Sequence, residues 1–244
     1  MVRIALMVIR SIFKIPSYAC HLHLYGKKED SHTEQERYDY LRKVVKEVNC
    51  AGRVEVIEYG TDNLPEKEGF ILFPNHQGLF DSLALIATCS HPFGIVIKKE
   101  AARLILVKQV IALLRGIAID RKDLKDSVRM IKQVTEEVKQ GRNYVIFAEG
   151  TRSREGNKIL PFKSGTFKSA IHAKCPIVPV ALINSYKPFD CNSIRREKVE
   201  VHYLAAIYPD QYMGLKSSEL ADLVHDRIQD TIDQNIDKNV EKIG

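Results

Sequence analysis

Apolar residues recur along the chain with two alternating periods. Short apolar runs bounded by Gly, Pro, Asn or charged residues predict strands at 54–59, 69–73, 93–97, 116–119, 143–148, 177–183 and 199–206. Between them lie helical patterns. Thr33 and Glu36 form a capping box, after which Leu41, Val44, Val45 and Val48 recur on one face. Further helices are predicted over 82–89, over 101–114 (as one helix or two short ones), over 165–174 and over 218–236. Leu124, Val128, Ile131, Val134 and Val138 mark another, which Gly141 ends. Strands alternating with helices predict an α/β fold: a single domain over residues 29–244 with a largely parallel central sheet flanked by helices.

Residues 1–28 form a separate amphipathic front end. The apolar run 4–9 is interrupted by Arg10 and Lys14, so it falls short of the roughly 20 apolar residues that a spanning helix needs. At 100° per residue, Arg3, Arg10 and Lys14 fall within about 40° of arc. Ile4, Leu6, Val8, Ile9, Ile12 and Phe13 cover most of the remaining circumference, and Pro16 separates a second helix around 17–25. The expectation is a helical pair lying in a membrane interface with its basic stripe at the headgroups. The competing reading is a terminal helix packed on the body.

Composition narrows the class. The chain has 244 residues, 45% hydrophobic and 28% charged, which excludes a disordered, collagen-like or multi-pass membrane protein. The net charge of +6 is concentrated at one end: residues 1–28 hold five basic residues and no acid, leaving 32 basic and 31 acidic residues elsewhere. A nearly neutral body argues against a nucleic-acid partner, and a basic apolar end points to an anionic membrane surface. Five cysteines without a C-x-x-C argue against a disulfide framework or a cysteine zinc site and suit a reducing compartment. His21-x-His23 is a weak metal signal inside an apolar segment.

In parallel sheets, ligands bind beyond the carboxyl ends of the strands. Four successive predicted strands end in chemistry: Asn75-His76 with Asp81, then Lys98-Lys99, then Asp120-Arg121, then Glu149-Gly150-Thr151-Arg152. His76 and Asp81 are too far apart on a straight helix to meet, but a strand-to-helix turn can join them. The carboxylate would then hold the imidazole as a base near neutral pH. The spacing also fits a helix cap beside an unrelated histidine. Arg121, Arg152, Arg154, Lys98 and Lys163 can complement a phosphate. Glu149 can accept hydrogen bonds from a polyol or orient the arginines. G-x-S-x-G, H-E-x-x-H, the P-loop and G-x-G-x-x-G are absent.

Taken in order, these blocks resemble the glycerolipid acyltransferases, above all the 1-acyl-sn-glycerol-3-phosphate O-acyltransferase family. Asn75-His76-Gln77-Gly78-Leu79-Phe80-Asp81 is similar to its N-H-x₄-D block. Gly116 to Arg121 resembles the short block ending in arginine, Phe147 to Ser153 resembles F-P-E-G-T-R-S, and Ile177 to Leu182 resembles the V-P-V block. The resemblance spans about residues 55–206. Ala148 replaces the usual proline, and Arg115 and Ala118 stand where glycine and a bulky residue are usual, which bears on acceptor or acyl-chain preference.

The resemblance implies that His76, oriented by Asp81, deprotonates the free hydroxyl of lysophosphatidic acid, which attacks an acyl thioester. Arg121, Glu149, Gly150, Thr151 and Arg152, with Lys163, correspond to the glycerophosphate-binding residues. Lys98 or a backbone amide near Gly150 is the candidate oxyanion donor. It implies no metal or redox cofactor, with coenzyme A or acyl-carrier protein delivering the acyl group. It also implies a peripheral or monotopic protein on the cytoplasmic face of a membrane. Another acceptor such as glycerol 3-phosphate, hydrolysis, or non-catalytic binding of anionic lipid stay open as alternatives.

Overall fold

The computed structural model describes residues 2–27, 32–100 and 105–241. Among these, seven strands form one sheet: β1 (Val54–Tyr59), β2 (Ile71–Pro74), β3 (Phe93–Lys98), β4 (Ile117–Ile119), β5 (Asn143–Val145), β6 (Ile177–Ile183) and β7 (Glu197–Tyr203), in the order β1-β7-β6-β2-β5-β3-β4. Strands β6, β2, β5, β3 and β4 are parallel neighbours, whereas β7 runs antiparallel to β6 and carries β1 parallel to itself. The amino ends of β1 and β7 therefore share the edge where the parallel strands have their carboxyl ends.

Helices cover both faces: α1 (Val2–Ser11), α2 (Ile15–Lys27), α3 (Glu34–Ala51), α4 (Asp81–Thr88), α5 (Ile105–Leu113), α6 (Leu124–Lys139), α7 (Lys168–Ala173), α8 (Lys187–Asp190), α9 (Pro209–Tyr212) and α10 (Ser217–Glu241). The all-apolar strand β6 shows why both faces need cover. Val178, Val180 and Leu182 enter the core beneath α3 and α4, while Ile177, Ala181 and Ile183 enter the core beneath α6 and α10. The Thr33 box is formed, with the hydroxyl accepting from Glu36 N and Glu36 Oε2 accepting from Thr33 N.

Several local expectations shift. The predicted 165–174 helix is a 3-10 turn over Ser164–Phe167 followed by α7. Residues 101–104 of the predicted 101–114 helix lie outside the described residues. Leu124 and Val128 do not join the core, being 78% and 58% exposed; α6 buries its later residues Met130, Val134, Thr135 and Val138. Pro16 lies within the first turn of α2, where its missing N–H costs nothing.

The basic stripe of the front end divides: Arg3 is turned inward, opposite to expectation, while Arg10 and Lys14 are exposed. Arg3, Met7 and Ser11, spaced by four, form the buried seam of α1. Arg3 is fully buried and donates to Pro188 O at 3.1 Å and Gly52 O at 2.7 Å, with Glu197 at 3.5 Å. Arg10 donates to Ala51 O, and Lys14 pairs with Glu47 at 2.6 Å. Arg3 thus joins the starts of β1 and β7 to α8 and has no headgroup as a partner, whereas Arg10 and Lys14 rest on α3. A side chain at Gly52 would stand 2.2 Å from the terminal methyl of Met7, so the methionine packs directly on the glycine where α1 meets the body. The outward positions are Val2, Val8, Ile9, Ile12 and Phe13, the last 97% exposed. Among the described residues no helix is long and apolar enough to cross a membrane.

Replacing Arg3 strands two buried carbonyls, so Arg3→Met is expected to cost about 3 kcal/mol of unfolding free energy in urea titration. Lys14→Met, which removes an exposed ion pair, is expected to cost less than about 1 kcal/mol.

Candidate active site

The site is built where β2 ends. The backbone turns after Pro74, and Asn75 locks that turn to β6 by donating to Leu182 O at 3.0 Å and accepting from Leu182 N at 2.7 Å. His76 follows, then the turn that leads into α4, whose first residue is Asp81. The turn does bring the pair together: His76 Nδ1 lies 2.7 Å from Asp81 Oδ2. Asp81 is fully buried and also accepts from Gln77 N at 2.7 Å, from Gly78 N at 3.0 Å and from the Ser185 hydroxyl. With Nδ1 facing a carboxylate, the ring proton sits there, and Nε2 is left as the basic nitrogen. The imidazole is part-exposed and stacks on Phe147 with centroids 4.2 Å apart.

The parallel neighbours bring the other strand ends to the same edge. Glu149 is buried. Its Oε1 accepts from His76 N at 2.6 Å and its Oε2 accepts from Leu160 N at 3.0 Å. Neither oxygen meets an arginine among the described residues, so Glu149 braces the histidine backbone and the 150–160 loop and does not orient cations. Burial pushes its carboxyl up to about 7; the two backbone donors pull the other way, and the negative charge of Asp81 adds to the rise. Ser153 N donates to His76 O at 2.9 Å, which ties the loop to the histidine from the other side.

The cations take distinct stations. Arg121 donates to Gly150 O, and burial lowers its pKa. Gly150 has φ +71°, and a side chain there would stand 2.7 Å from Lys163 Nζ, so the lysine lies against the bare backbone. Thr151 is exposed. Arg152 Nη1 lies 4.0 Å from Asp190 Oδ1, and a cavity of about 340 Å³ is lined by Arg152, Arg154, Tyr186 and Asp190. Lys98 ends β3 with its ammonium 3.3 Å from Glu100.

Sequence reasoning gave no role to Asn75 and Gln77 and passed over Asn157, Asn184 and Ser185; together these join the turn to β6 and the loop. The strand-end rule applied once more would have found two of them, since Asn184-Ser185 directly follows β6. His202, which has no obvious partner by pattern, lies 3.0 Å from Glu200 and stacks on Tyr59. His21 Nδ1 is 2.8 Å from Ser17 O, and the side chain of His23 lies outside the described residues. All five cysteines are free.

A histidine–aspartate pair at the carboxyl edge of a parallel sheet, flanked by arginines and a loop opened by glycine, is the arrangement the sequence blocks led one to expect of a glycerolipid acyltransferase. A sequence model of the family described as Acyltransferase matches residues 55–183, just over half of the chain. The chain belongs to that acyltransferase family. It is 30% identical over 149 residues to a 1-acyl-sn-glycerol-3-phosphate acyltransferase of Borreliella burgdorferi, covering 61% of this chain and 59% of that protein. It is 38% identical over 126 residues to the enzyme of the same name from Helicobacter pylori, covering 51% and 52%. The chain thus spans a little over half the length of these curated relatives. The crystal structure of the 1-acyl-sn-glycerophosphate acyltransferase PlsC from Thermotoga maritima shares the fold, with a TM-score of 0.75 over 96% of both chains at 19% identity.

A carboxyl raised by folding stabilises the fold while protonated. That contribution is present at low pH and lost as pH rises from about 4.5 to about 7. Glu149→Gln is neutral throughout. Its stability relative to the parent is expected to improve by about 3 kcal/mol between pH 4.5 and pH 8 in paired urea titrations. A pH-independent difference would show that the carboxyl is ionised across the range.

Proposed function

We propose that the protein transfers an acyl group from a thioester to the sn-2 hydroxyl of 1-acyl-sn-glycerol 3-phosphate, giving phosphatidic acid in phospholipid synthesis. The observation that carries this reading is the His76–Asp81 contact of 2.7 Å at the sheet edge shared with Glu149 and the arginines. The names of the relatives support the acceptor.

In this mechanism Nε2 of His76 removes the proton of the acceptor hydroxyl, and Asp81 stabilises the imidazolium that forms. The hydroxyl oxygen bonds to the thioester carbonyl carbon. The resulting oxyanion needs a preorganised donor, for which Lys98 or an amide near Gly150 is the candidate. Collapse of the tetrahedral intermediate breaks the carbon–sulfur bond, and the thiolate takes the proton from His76. Arg121, Arg152 and Lys163, with Thr151 and the Gly150 backbone, hold the phosphate, and Glu149 holds His76 in place. The mechanism calls on no metal or redox cofactor. The donor is an acyl-CoA or acyl-carrier-protein thioester.

The acceptor carries an acyl chain, so we place the protein at a membrane surface, as a monotopic enzyme on the cytoplasmic side. The support is the exposed apolar face of α1 and the turn after it. Arg3 ties that helix to α8, whose Asp190 approaches Arg152, so α8 connects the start of α1 to the cation cluster.

With lysophosphatidic acid and a labelled acyl thioester, label is expected in phosphatidic acid. Label in free fatty acid would point to hydrolysis, and label in neither to lipid binding alone. His76→Ala is expected to lower transfer by at least about 10²-fold while leaving vesicle sedimentation unchanged. Ile9→Glu with Phe13→Glu is expected to release the protein from anionic vesicles; undiminished sedimentation would reject the anchor.

A further inference from the structure

We propose that Ser185 is a positioning residue that holds the plane of the Asp81 carboxylate so that one of its oxygens stays aimed at the imidazole. The proposal rests on the acyl-transfer reading, since it concerns the same histidine. Ser185 is fully buried at the end of β6, more than a hundred positions from Asp81, and its hydroxyl lies within hydrogen-bond reach of two acceptors. One is Asp81 Oδ1. The other is Gln77 Oε1, at 3.1 Å. A hydroxyl has one proton, and an ionised carboxylate is the stronger acceptor, so the proton goes to Asp81.

The orientation of Gln77 is fixed independently. Ser185 N donates to Gln77 Oε1 at 2.9 Å, and Gln77 Nε2 donates to Asn157 Oδ1 at 2.9 Å. Asn157 Oδ1 also accepts from Asn184 N at 2.8 Å. These bonds leave the amide of Gln77 one consistent orientation. The same bonds hold the backbone of Ser185, so its hydroxyl arrives at Oδ1 from a rigid strand end. Asn184, with φ +62°, makes the corner that directs it there.

The two carboxylate oxygens are not equivalent. Oδ2 meets His76 Nδ1 and Gln77 N, both at 2.7 Å. Among the described residues, Oδ1 has besides the serine hydroxyl only Gly78 N, at 3.1 Å, a donor it shares with Oδ2 at 3.0 Å. Removing that hydroxyl leaves Oδ1 with one long bond in a dry site. Only the amides of its own turn then fix the carboxylate's rotation about the Cβ–Cγ bond, and the Nδ1–H bond loses part of its alignment. Glu149, Asp190 and Arg152 are the other charged groups around the turn, and none replaces the lost donor: Glu149 is bonded to His76 N and Leu160 N, and Asp190 approaches Arg152.

The test uses the full chain carrying Ser185→Ala or Ser185→Cys, the latter close in shape with a weaker donor. The first readout is the downfield proton resonance of His76 Nδ1–H, identified by its loss in His76→Gln. It is expected to broaden through exchange with water in Ser185→Ala and to be intermediate in Ser185→Cys. The second is steady-state kinetics with lysophosphatidic acid and an acyl-CoA or acyl-carrier-protein thioester. There kcat is expected to fall about tenfold in Ser185→Ala with KM for the acceptor unchanged. A resonance as sharp as the parent's in both variants, or a rise in KM at constant kcat, overturns the proposal. If the parent makes no phosphatidic acid, the acyl-transfer reading fails, and the resonance alone decides whether Ser185 positions the pair.

Discussion

One buried carboxylate organises the candidate site. Asp81 accepts from an imidazole, two amides of its own turn and a serine hydroxyl carried by another strand. A carboxylate taken fully out of water is tolerated only when its lone pairs are filled, and here local and distant donors fill them. The interaction therefore acts on more than the histidine. It closes the turn between β2 and α4, and it holds β6 in register with that turn through Ser185. Asn75 adds its reciprocal pair with Leu182. The site is stiff because the strand ends are joined to one another by side chains.

Sheet topology explains why the remaining groups arrive together. Parallel neighbours finish at one edge, so whatever follows β2, β5, β3 and β4 is collected there without long-range instruction. The reversed pair β1 and β7 contributes differently, because its amino ends lie on that same edge. Gly52 and Glu197 are placed to receive Arg3, and α8 receives it from the other side through Pro188. The front-end helix is thereby attached beside the site by contacts that have nothing to do with substrate.

What could be read in advance follows the range of the interactions. Strand β6 coincides with an apolar run bounded by turn residues, since a run's own hydrophobicity sets where it leaves the core; β1 also has its expected bounds, although two glutamates interrupt it. The Thr33 box was legible because both partners lie within four residues. His76 and Asp81 were legible as a possibility because a turn of five residues limits how far apart they can fall. Arg3 was misread because its partners are backbone carbonyls 49 and 185 positions away, and a helical stripe of cations says nothing of such neighbours. Glu149 kept two open readings for a related reason: its ligands are backbone N–H groups, which any residue type supplies. Ser185 lies in a stretch whose side chains look like an ordinary loop, and only the fold places its hydroxyl beside a charge.

The inside-out build of α1 has a thermodynamic corollary. For the membrane contact proposed above, a helix that buries its guanidinium offers Ile9, Ile12 and Phe13, with Arg10 and Lys14 paired along its margin. Adsorption of such a surface is governed by nonpolar area removed from water and carries the negative heat-capacity change of that process. Ionic strength should consequently alter partitioning only weakly, whereas temperature should alter it with pronounced curvature.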